Sequence, residues 1–292
     1  MSKHGLFIGM VTLDLVYLTA GLPNNNQKIA AIDYTVTAGG PATNAAVAFS
    51  HLGNQSTLLS VLGSHPITNL IQVDLGDRRV AIADLEPTRC EPPPVSSIIV
   101  TQSTGERAVV SLNSAHIQAA KDQIPFSNLQ DVDVVLIDGH QMEVGLEIAK
   151  QAQSNQIPIV IDGGSWKPGF EQVLSLADYV ICSANFYPPN CHSSEDTLTY
   201  LSGLGIKQIA ITQGEKPIHY VYGDQTDFLE VPQTNVVDTL GAGDIFHGAF
   251  CHFILQTDFI TALTEAAKIA AYACQFFGTR RWMQSNHSDA AG

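Results

Sequence analysis

Short apolar segments alternate with helix-like segments through the middle of the chain, and this alternation constrains the fold more than any other feature. The apolar run Val134–Ile137 ends at Asp138, and the run 159–161 ends at Asp162, with the helical stretch 143–154 between them. Strands and helices at this spacing predict βαβ units and a mostly parallel sheet. The runs are apolar throughout rather than at every second residue, which indicates a sheet covered on both faces.

The remaining periodic segments extend this pattern along the chain. We predict further strands at 6–13, 56–62, 80–85, 95–102, 107–112, 179–181, 208–212, 219–222 and 228–231. We predict further helices at 42–52, 66–76, 169–176, 194–202, 244–256 and 259–277. No internal repeat and no linker interrupts the pattern. The sequence therefore predicts one α/β domain over residues 1–292, with a small β appendage.

The composition excludes several classes of function. Lys and Arg number 14 against 28 Asp and Glu, for a net charge of −14, which argues against nucleic-acid partners and anionic membrane surfaces. An anionic substrate stays open, because a local pocket can oppose the global field. No apolar stretch is long enough to span a membrane. The five cysteines follow no metal-ligand spacing, so we predict buried thiols and a cytoplasmic protein.

A first glycine-rich turn precedes the helix predicted at 42–52. Gly39 and Gly40 allow a ligand to approach the backbone closely. Asn44 follows within the first helical turns, where its amide can bind hydroxyl groups. This motif alone is weak evidence, because an ordinary strand-to-helix turn explains the same residues.

A second glycine-rich turn leads into the helix predicted at 244–256. The small residues Gly241, Ala242 and Gly243 leave backbone amides exposed at a helix N-terminus, a geometry that binds phosphate or a developing negative charge. Asp244 lies at the same end, where the helix dipole favours its ionised form. An ionised carboxylate beside an anion hole can deprotonate a hydroxyl for phosphoryl transfer. A simple helix cap is the alternative role for Asp244.

Together the two turns resemble a known family. TAGGPATNAAVAFSHLG at 37–53 and VDTLGAGDIFHGAF at 237–250 are similar to the N- and C-terminal signatures of the PfkB, or ribokinase-like, carbohydrate kinases. The segments 9–23 and 104–110 resemble the ketose-type sugar kinases more than the nucleoside kinases. The resemblance implies a Rossmann-like αβα sandwich with a β lid from about 11–37 and 95–112. It also implies transfer of the γ-phosphoryl group of ATP to a hydroxyl, with Mg²⁺ and optionally a monovalent cation.

The resemblance also implies roles for particular residues. Asp244 would be the catalytic base, and the amides of Gly241, Ala242 and Gly243 would form the anion hole. The residues implied on the sugar side are Asp14, Gly39, Gly40 and Asn44, with Lys28 and His140 as further candidates. The residues implied for the nucleotide are Thr212, Gly214, Thr239, Asn185, Ala271 and Cys274. Asp162 is the candidate for Mg²⁺ because of its place at the end of a predicted strand, and a solvated strand-end carboxylate is the alternative.

The chain departs from the family pattern at three places. The family's Asn-x-x-Glu element ends here in Pro188, so its glutamate is absent, and the nucleotide loop carries Pro217 where glycine is usual. The stretch Asp138-Gly139-His140 contains no Arg. A binding site for an anionic sugar would use Arg, because its planar guanidinium pairs with phosphate or sulfonate.

Three functions therefore remain in view. The first is an ATP-dependent kinase for a neutral or lightly charged hexose or pentose, with a ketose as one option. The second is a nucleoside kinase, and the third is a degenerate kinase that binds ligand without turnover. We also expect a homodimer, because the predicted lid would expose an apolar face that needs cover.

The weaker candidates have two interpretations each. Asp138 either holds Mg²⁺ through water or is a solvated residue at a strand end, and His247 either acts at the site or packs in the core. Arg280 and Arg281 either neutralise nucleotide phosphates or form a solvated pair beyond a helix.

Overall fold

The computed structural model of the chain describes residues 2–112, 117–125 and 129–284. In the described residues the strands are β1 (His4–Ile8), β2 (Thr12–Thr19), β3 (Asp33–Gly39), β4 (Gln55–Ser60), β5 (Val80–Asp84), β6 (Val95–Thr101), β7 (Arg107–Ser111), β8 (Val134–Ile137), β9 (Ile159–Gly163), β10 (Tyr179–Ser183), β11 (Gln208–Gln213), β12 (Lys216–Tyr222) and β13 (Gln225–Leu229). The α-helices are α1 (Pro41–His51), α2 (Thr68–Asp77), α3 (Met142–Ser154), α4 (Phe170–Leu174), α5 (Ser194–Gly203), α6 (Ala242–Ile254) and α7 (Phe259–Ala273).

The main sheet has the strand order β13-β12-β11-β10-β9-β8-β1-β4-β5. The strands from β11 to β5 in this order run parallel, and β12 and β13 add an antiparallel edge. Side chains such as Phe7 and Leu136 pack with α1, α6 and α7 on one face, whereas Leu6 and Ile137 pack with α3, α4 and α5 on the other. The predicted mostly parallel sheet, covered on both faces, is therefore confirmed.

A second sheet of order β3-β2-β6-β7 forms the lid. Its inner face carries Val16, Ile98 and Val100, which are buried against Phe277 of the C-terminal segment. Its outer face leaves apolar side chains in solvent, among them Tyr17, Tyr34, Val36 and Val110. The lid is thus anchored through one face only.

The single strand predicted over 6–13 is wrong. The chain leaves the main sheet after Ile8 and enters the lid at Thr12. Gly9 makes this crossing possible, because a Cβ there would collide with the carboxylate of Asp138. Asp14 directly follows the strand predicted at 6–13, but in the structure it is the third residue of β2 in the lid.

Smaller differences concern the ends of elements. The strand predicted at 228–231 is Gln225–Leu229, and the helix predicted at 169–176 shortens to Phe170–Leu174. The cysteines are free thiols, buried except for Cys90. Within the described ranges, no helix is long and apolar enough to cross a membrane.

Candidate active site

The second glycine-rich turn forms the N-terminus of α6. Gly241 caps the helix with a φ of +70°, a left-handed conformation that favours glycine, and a Cβ there would press on Thr279 at 2.7 Å. The amide of Ala242 donates to the carbonyl oxygen of Thr239 at 3.2 Å. That hydrogen bond engages one of the three amides predicted for the anion hole, so Gly241 and Gly243 are the better candidates to receive an anion.

Asp244 lies in the first turn of α6 and is joined to the other signature. Its Oδ2 accepts a hydrogen bond of 2.8 Å from Nδ2 of Asn44 on α1. Burial raises the pKa of Asp244, and the hydrogen bond from Asn44 and the nearby His247 oppose that rise. A carboxylate with a raised pKa is a better proton acceptor than a fully solvated one.

The first glycine-rich turn packs against the lid. Gly40 has a φ of +100°, and a Cβ at Gly39 would collide with the carboxylate of Asp14. Both glycines are thus required for close approach of backbone to neighbouring groups. The turn brings Asp14 to the same side of the molecule as Asn44.

Asp14 is buried and partly satisfied by its own sheet. Its Oδ1 accepts a hydrogen bond of 2.7 Å from Oγ1 of Thr12, and Ser96 on β6 also bonds to it. Burial raises its pKa, and these hydrogen bonds oppose the rise. An ionised carboxylate has about four acceptor positions, so Asp14 retains capacity for ligand hydroxyls.

A cavity of about 850 Å³ opens beside the N-terminus of α6. Its lining includes Asp244 with the glycine-rich residues Gly241, Ala242 and Gly243. The lining also includes every residue predicted for the nucleotide: Asn185, Thr212, Gly214, Thr239, Ala271 and Cys274. Residues from four separate parts of the chain thus meet at one cleft, which has room for a ligand larger than a sugar.

Asp162 lines the same cavity from the end of β9. It is 4% exposed, and its Oδ2 has no hydrogen-bond partner within the described parts of the chain. Burial raises its pKa to about 6, with Asp244 and Asp138 adding to the rise and His247 opposing it. A cation at this position would supply the partner that the oxygen lacks.

His247 is a packed residue of α6. Its Nδ1 lies 2.7 Å from the carbonyl oxygen of Gly243 and 3.6 Å from Oδ2 of Asp162, and its Nε2 lies 3.2 Å from the carbonyl oxygen of Ile181. The ring joins α6 to β10, which agrees with its interpretation as a core histidine.

Asp138 has a structural role, and neither earlier interpretation of it holds. Its carboxylate accepts backbone hydrogen bonds from Met10, Ala42 and His140, and a further one from the His140 ring at 3.1 Å. These contacts hold its pKa below the usual range despite burial. The buried carboxylate clamps the ends of β1 and β8 to the start of α1, which leaves it no oxygen for Mg²⁺.

The remaining predicted sugar-side residues lie farther out. His140 lines a separate small cavity of about 10 Å³ together with Met10, Val11 and Ser60. Lys28 lies in the exposed connection between β2 and β3 and is not among the described residues that line either cavity. Among the described residues, neither His140 nor Lys28 makes a hydrogen bond to Asp14 or Asn44, and the His140 ring bonds to Asp138 instead.

Arg280 and Arg281 fit neither of their predicted interpretations. Arg280 is 5% exposed and pairs with Asp74 at 3.1 Å, so it is neither solvated nor in the nucleotide cleft. Arg281 pairs with Asp33 of the lid at 2.6 Å. The two adjacent guanidinium groups thus point to different parts of the fold.

Sequence reasoning missed two cations near the cleft. Arg107 on β7 donates to Oγ1 of Thr239 at 2.8 Å and lines the large cavity. Lys167 lies 3.4 Å from the carbonyl oxygen of Asp138, and its charge lowers the pKa values of Asp138 and Asp162. The sequence placed Arg107 in the predicted lid hairpin. Its contact with Thr239, which is distant in the sequence, could be seen only in the folded structure.

Comparison with known proteins agrees with this geometry. The family model described as "pfkB family carbohydrate kinase" matches residues 3–286 of the chain. The chain belongs to the pfkB family of carbohydrate kinases. It is an ATP-dependent carbohydrate kinase with the ribokinase-like fold, as its sequence predicted.

Several relatives cover nearly the whole chain. A ribokinase from Bacillus subtilis is 24% identical over 282 residues, which are 96% of each chain. A deoxyribokinase from Salmonella typhi is 24% identical over 300 residues, covering 94% of this chain and 93% of its own. The structure of Arabidopsis thaliana ribokinase complexed with ribose and ATP has a TM-score of 0.75 at 18% identity and covers 98% of this chain and 100% of its own.

Proposed function

We propose that this kinase phosphorylates a hydroxyl of a neutral hexose or pentose, with Asp244 as the general base. The observation that carries the proposal is the 2.8 Å hydrogen bond between Asn44 and Asp244. It joins the turn beside Asp14 to the helix N-terminus at the large cavity. A hydroxyl held between these groups would face the cavity in which ATP is proposed to bind.

The protein's own groups divide the work of the reaction. Asp14 and Asn44 bind and orient the sugar through its hydroxyl groups. Asp244 accepts the proton of the attacking hydroxyl, and its raised pKa supports that role. The amides of Gly241 and Gly243, at the positive end of the helix dipole, stabilise charge on the transferred phosphoryl group. Arg107 supplies a positive charge to the phosphates from the lid.

The neutral substrate is inferred from the charges of the sugar side. Among the described residues, the cation that bonds to Asn44 is Arg280, and it is already paired with Asp74. Asp14 and Asp244 are carboxylates, which repel a phosphate or sulfonate but accept hydrogen bonds from hydroxyl groups. This pattern favours a polyol substrate without its own negative charge.

Mg²⁺ is proposed to bind near Asp162. The described residues contain no group of three or more His, Cys, Asp or Glu side chains arranged for a metal, so ATP phosphate oxygens and water must complete the coordination. Oδ2 of Asp162 accepts no hydrogen bond from the described residues and fits such a site, although the family's glutamate is replaced by Pro188. When bound, Mg²⁺ would neutralise charge on the phosphates. Use of a monovalent cation stays a prediction of the resemblance.

A coupled assay of ADP release tests the proposed function. The panel contains D-ribose, 2-deoxy-D-ribose, D-fructose, D-fructose 6-phosphate and adenosine, each with ATP and Mg²⁺. The proposal predicts ADP release well above the sugar-free rate with at least one neutral sugar. Turnover of adenosine alone would establish the nucleoside kinase instead. Binding of ATP without turnover across a broad range of sugars and nucleosides would favour a degenerate kinase.

A further inference from the structure

A buried guanidinium lies behind both glycine-rich turns, outside the large cavity. Arg280 follows the short segment Gly278–Thr279, whose Gly278 amide donates to the carboxylate of Asp238. Thr279 contacts Gly241 at the other end of the same segment. The segment therefore touches the α6 turn while its arginine reaches the α1 turn.

The ion pair between Arg280 and Asp74 holds the residue before the first glycine-rich turn. Nη2 of Arg280 donates to the carbonyl oxygen of Ala38 at 2.7 Å, and Oδ2 of Asp74 accepts from the Ala38 amide at 3.0 Å. Both polar backbone groups of Ala38 are thus bound by one ion pair. This arrangement sets the path of the chain into Gly39 and Gly40.

The same guanidinium determines which way the Asn44 amide faces. Nη1 of Arg280 donates to Oδ1 of Asn44 at 2.9 Å, while Nδ2 of Asn44 donates to Asp244. A flipped amide would place its NH₂ group against the guanidinium and its oxygen against the carboxylate. Both contacts would then be repulsive. Arg280 on one side and Asp244 on the other therefore allow only one orientation of the Asn44 amide.

The contacts of residue 280 require an arginine and could not all be made by a lysine. The guanidinium bonds at the same time to Asp74, Ala38 and Asn44, and it also reaches the hydroxyl of Thr279 at 3.0 Å. A lysine ammonium is a point charge with three donors and cannot span these partners in one plane. Burial raises the pKa of Asp14, and the charge of Arg280 opposes that rise.

We propose that Arg280, held by Asp74, is a positioning residue that orients Asn44 towards Asp244 and fixes the turn that binds the sugar. This proposal rests on the proposed function for its activity readout. Arg280 acts through Asn44 and does not touch the reacting atoms.

A double-mutant cycle on Arg280 and Asn44 tests the proposal. Arg280→Met should lower kcat/KM for the sugar of the panel that the wild type phosphorylates fastest by about 10- to 100-fold, the effect of one charged hydrogen bond. The KM for ATP should stay within about twofold. In the Asn44→Ala background the same substitution should cost about threefold or less, because its partner is already gone.

Controls separate positioning from stability. Arg281→Met removes the neighbouring ion pair with Asp33 and should leave kcat/KM near the wild-type value. Compared with Arg280→Met, Arg280→Lys should have a higher melting temperature but a similarly low kcat/KM. Should Arg280→Met fail to fold, Asp74→Asn carries the same cycle. Multiplicative losses in the double variant, or equal losses in sugar and ATP affinity, would overturn the proposal.

A readout without turnover separates this proposal from the proposed function. The side-chain amide signals of Asn44 can be assigned in ¹⁵N-labelled protein by comparison with Asn44→Ala. Asp244→Asn should shift these signals strongly in the wild-type background and weakly in Arg280→Met. Equal shifts in both backgrounds would contradict the positioning role. A wild type that turns over no sugar would count against the proposed function alone.

Discussion

At the residue scale, Asp14 and Asn44 come from adjoining parts of the fold and face the same turn. Gly39 leaves room for the Asp14 carboxylate, because a Cβ at this position would occupy the same space. The resemblance to the family, rather than the glycine pair alone, led us to expect Asp14 and Asn44 together on the sugar side of the site. The sequence placed Asp14 at the end of the wrong strand, because the apolar run 6–13 continues unbroken where the chain changes sheets.

Asp14→Ala tests the proposed sugar contacts. Two hydrogen bonds from sugar hydroxyls to a carboxylate are worth roughly 1.5–3 kcal/mol each. Their loss should lower kcat/KM for the sugar by about two to four orders of magnitude and leave sugar-free ATP hydrolysis nearly unchanged. Asp227→Ala, an exposed strand position in the main sheet, is the matched control. Parallel loss of sugar phosphorylation, ATP hydrolysis and melting temperature would mean that Asp14 serves the lid alone.

The buried Asp162 carboxylate is predicted to lower the free energy of unfolding of the metal-free protein at neutral pH. Burial raises its pKa to about 6 from 3.8, so the folded state binds its proton more tightly than the unfolded state does. The contribution of Asp162 to the free energy of unfolding therefore falls as pH rises from about 4 to about 6. Asp162→Asn should be more stable than the wild type above pH 6, by about 1–3 kcal/mol, with the difference vanishing near pH 4.

Denaturant unfolding in EDTA across this pH range measures the effect of Asp162→Asn. The same variant should lose the rise in melting temperature that Mg²⁺ and ADP together produce in the wild type. A variant that is less stable than the wild type at pH 7 would show that the carboxylate has a partner and is not a vacant ligand.

At the element scale, the lid has one buried face and one exposed face. Val36 on β3, Leu15 on β2 and Val110 on β7 lie in one cross-strand row of the outer face, next to the Tyr17 and Tyr34 pair. Val110 is 76% exposed and Tyr34 is 66% exposed. Apolar side chains grouped in this way favour an interface. We propose that two copies pack through this face.

Light scattering at micromolar concentration tests the dimer. The wild type should have twice the mass of one chain, and Val110→Lys should shift it towards the monomer by placing a desolvated charge in the interface. Lys207→Ala, at an exposed position just before β11 of the main sheet, serves as the control. A monomeric wild type with full activity would contradict the proposal.

At the scale of the whole molecule, local sequence patterns predicted the order of helices and strands. They could not predict the side-chain contacts between residues that are far apart in the sequence. The glycine-rich signatures are local, so their turns and helices could be read from the sequence. Arg280 pairs with Asp74, a contact between residues 206 positions apart, and nothing near either residue indicates it. Arg107 reaches Thr239 in the same way, across 132 positions.

The central claim is that Asp244 removes the proton of the attacking hydroxyl, and one substitution tests it most directly. Asp244→Asn keeps the size of the side chain and its place beside Asn44, and it removes the base. Because the base acts in the transition state, kcat should fall by about 10²–10⁴-fold. The affinities for sugar and ATP, measured by calorimetry, should change only a few-fold. A variant that keeps more than half of the wild-type kcat would mean that Asp244 is only a helix cap.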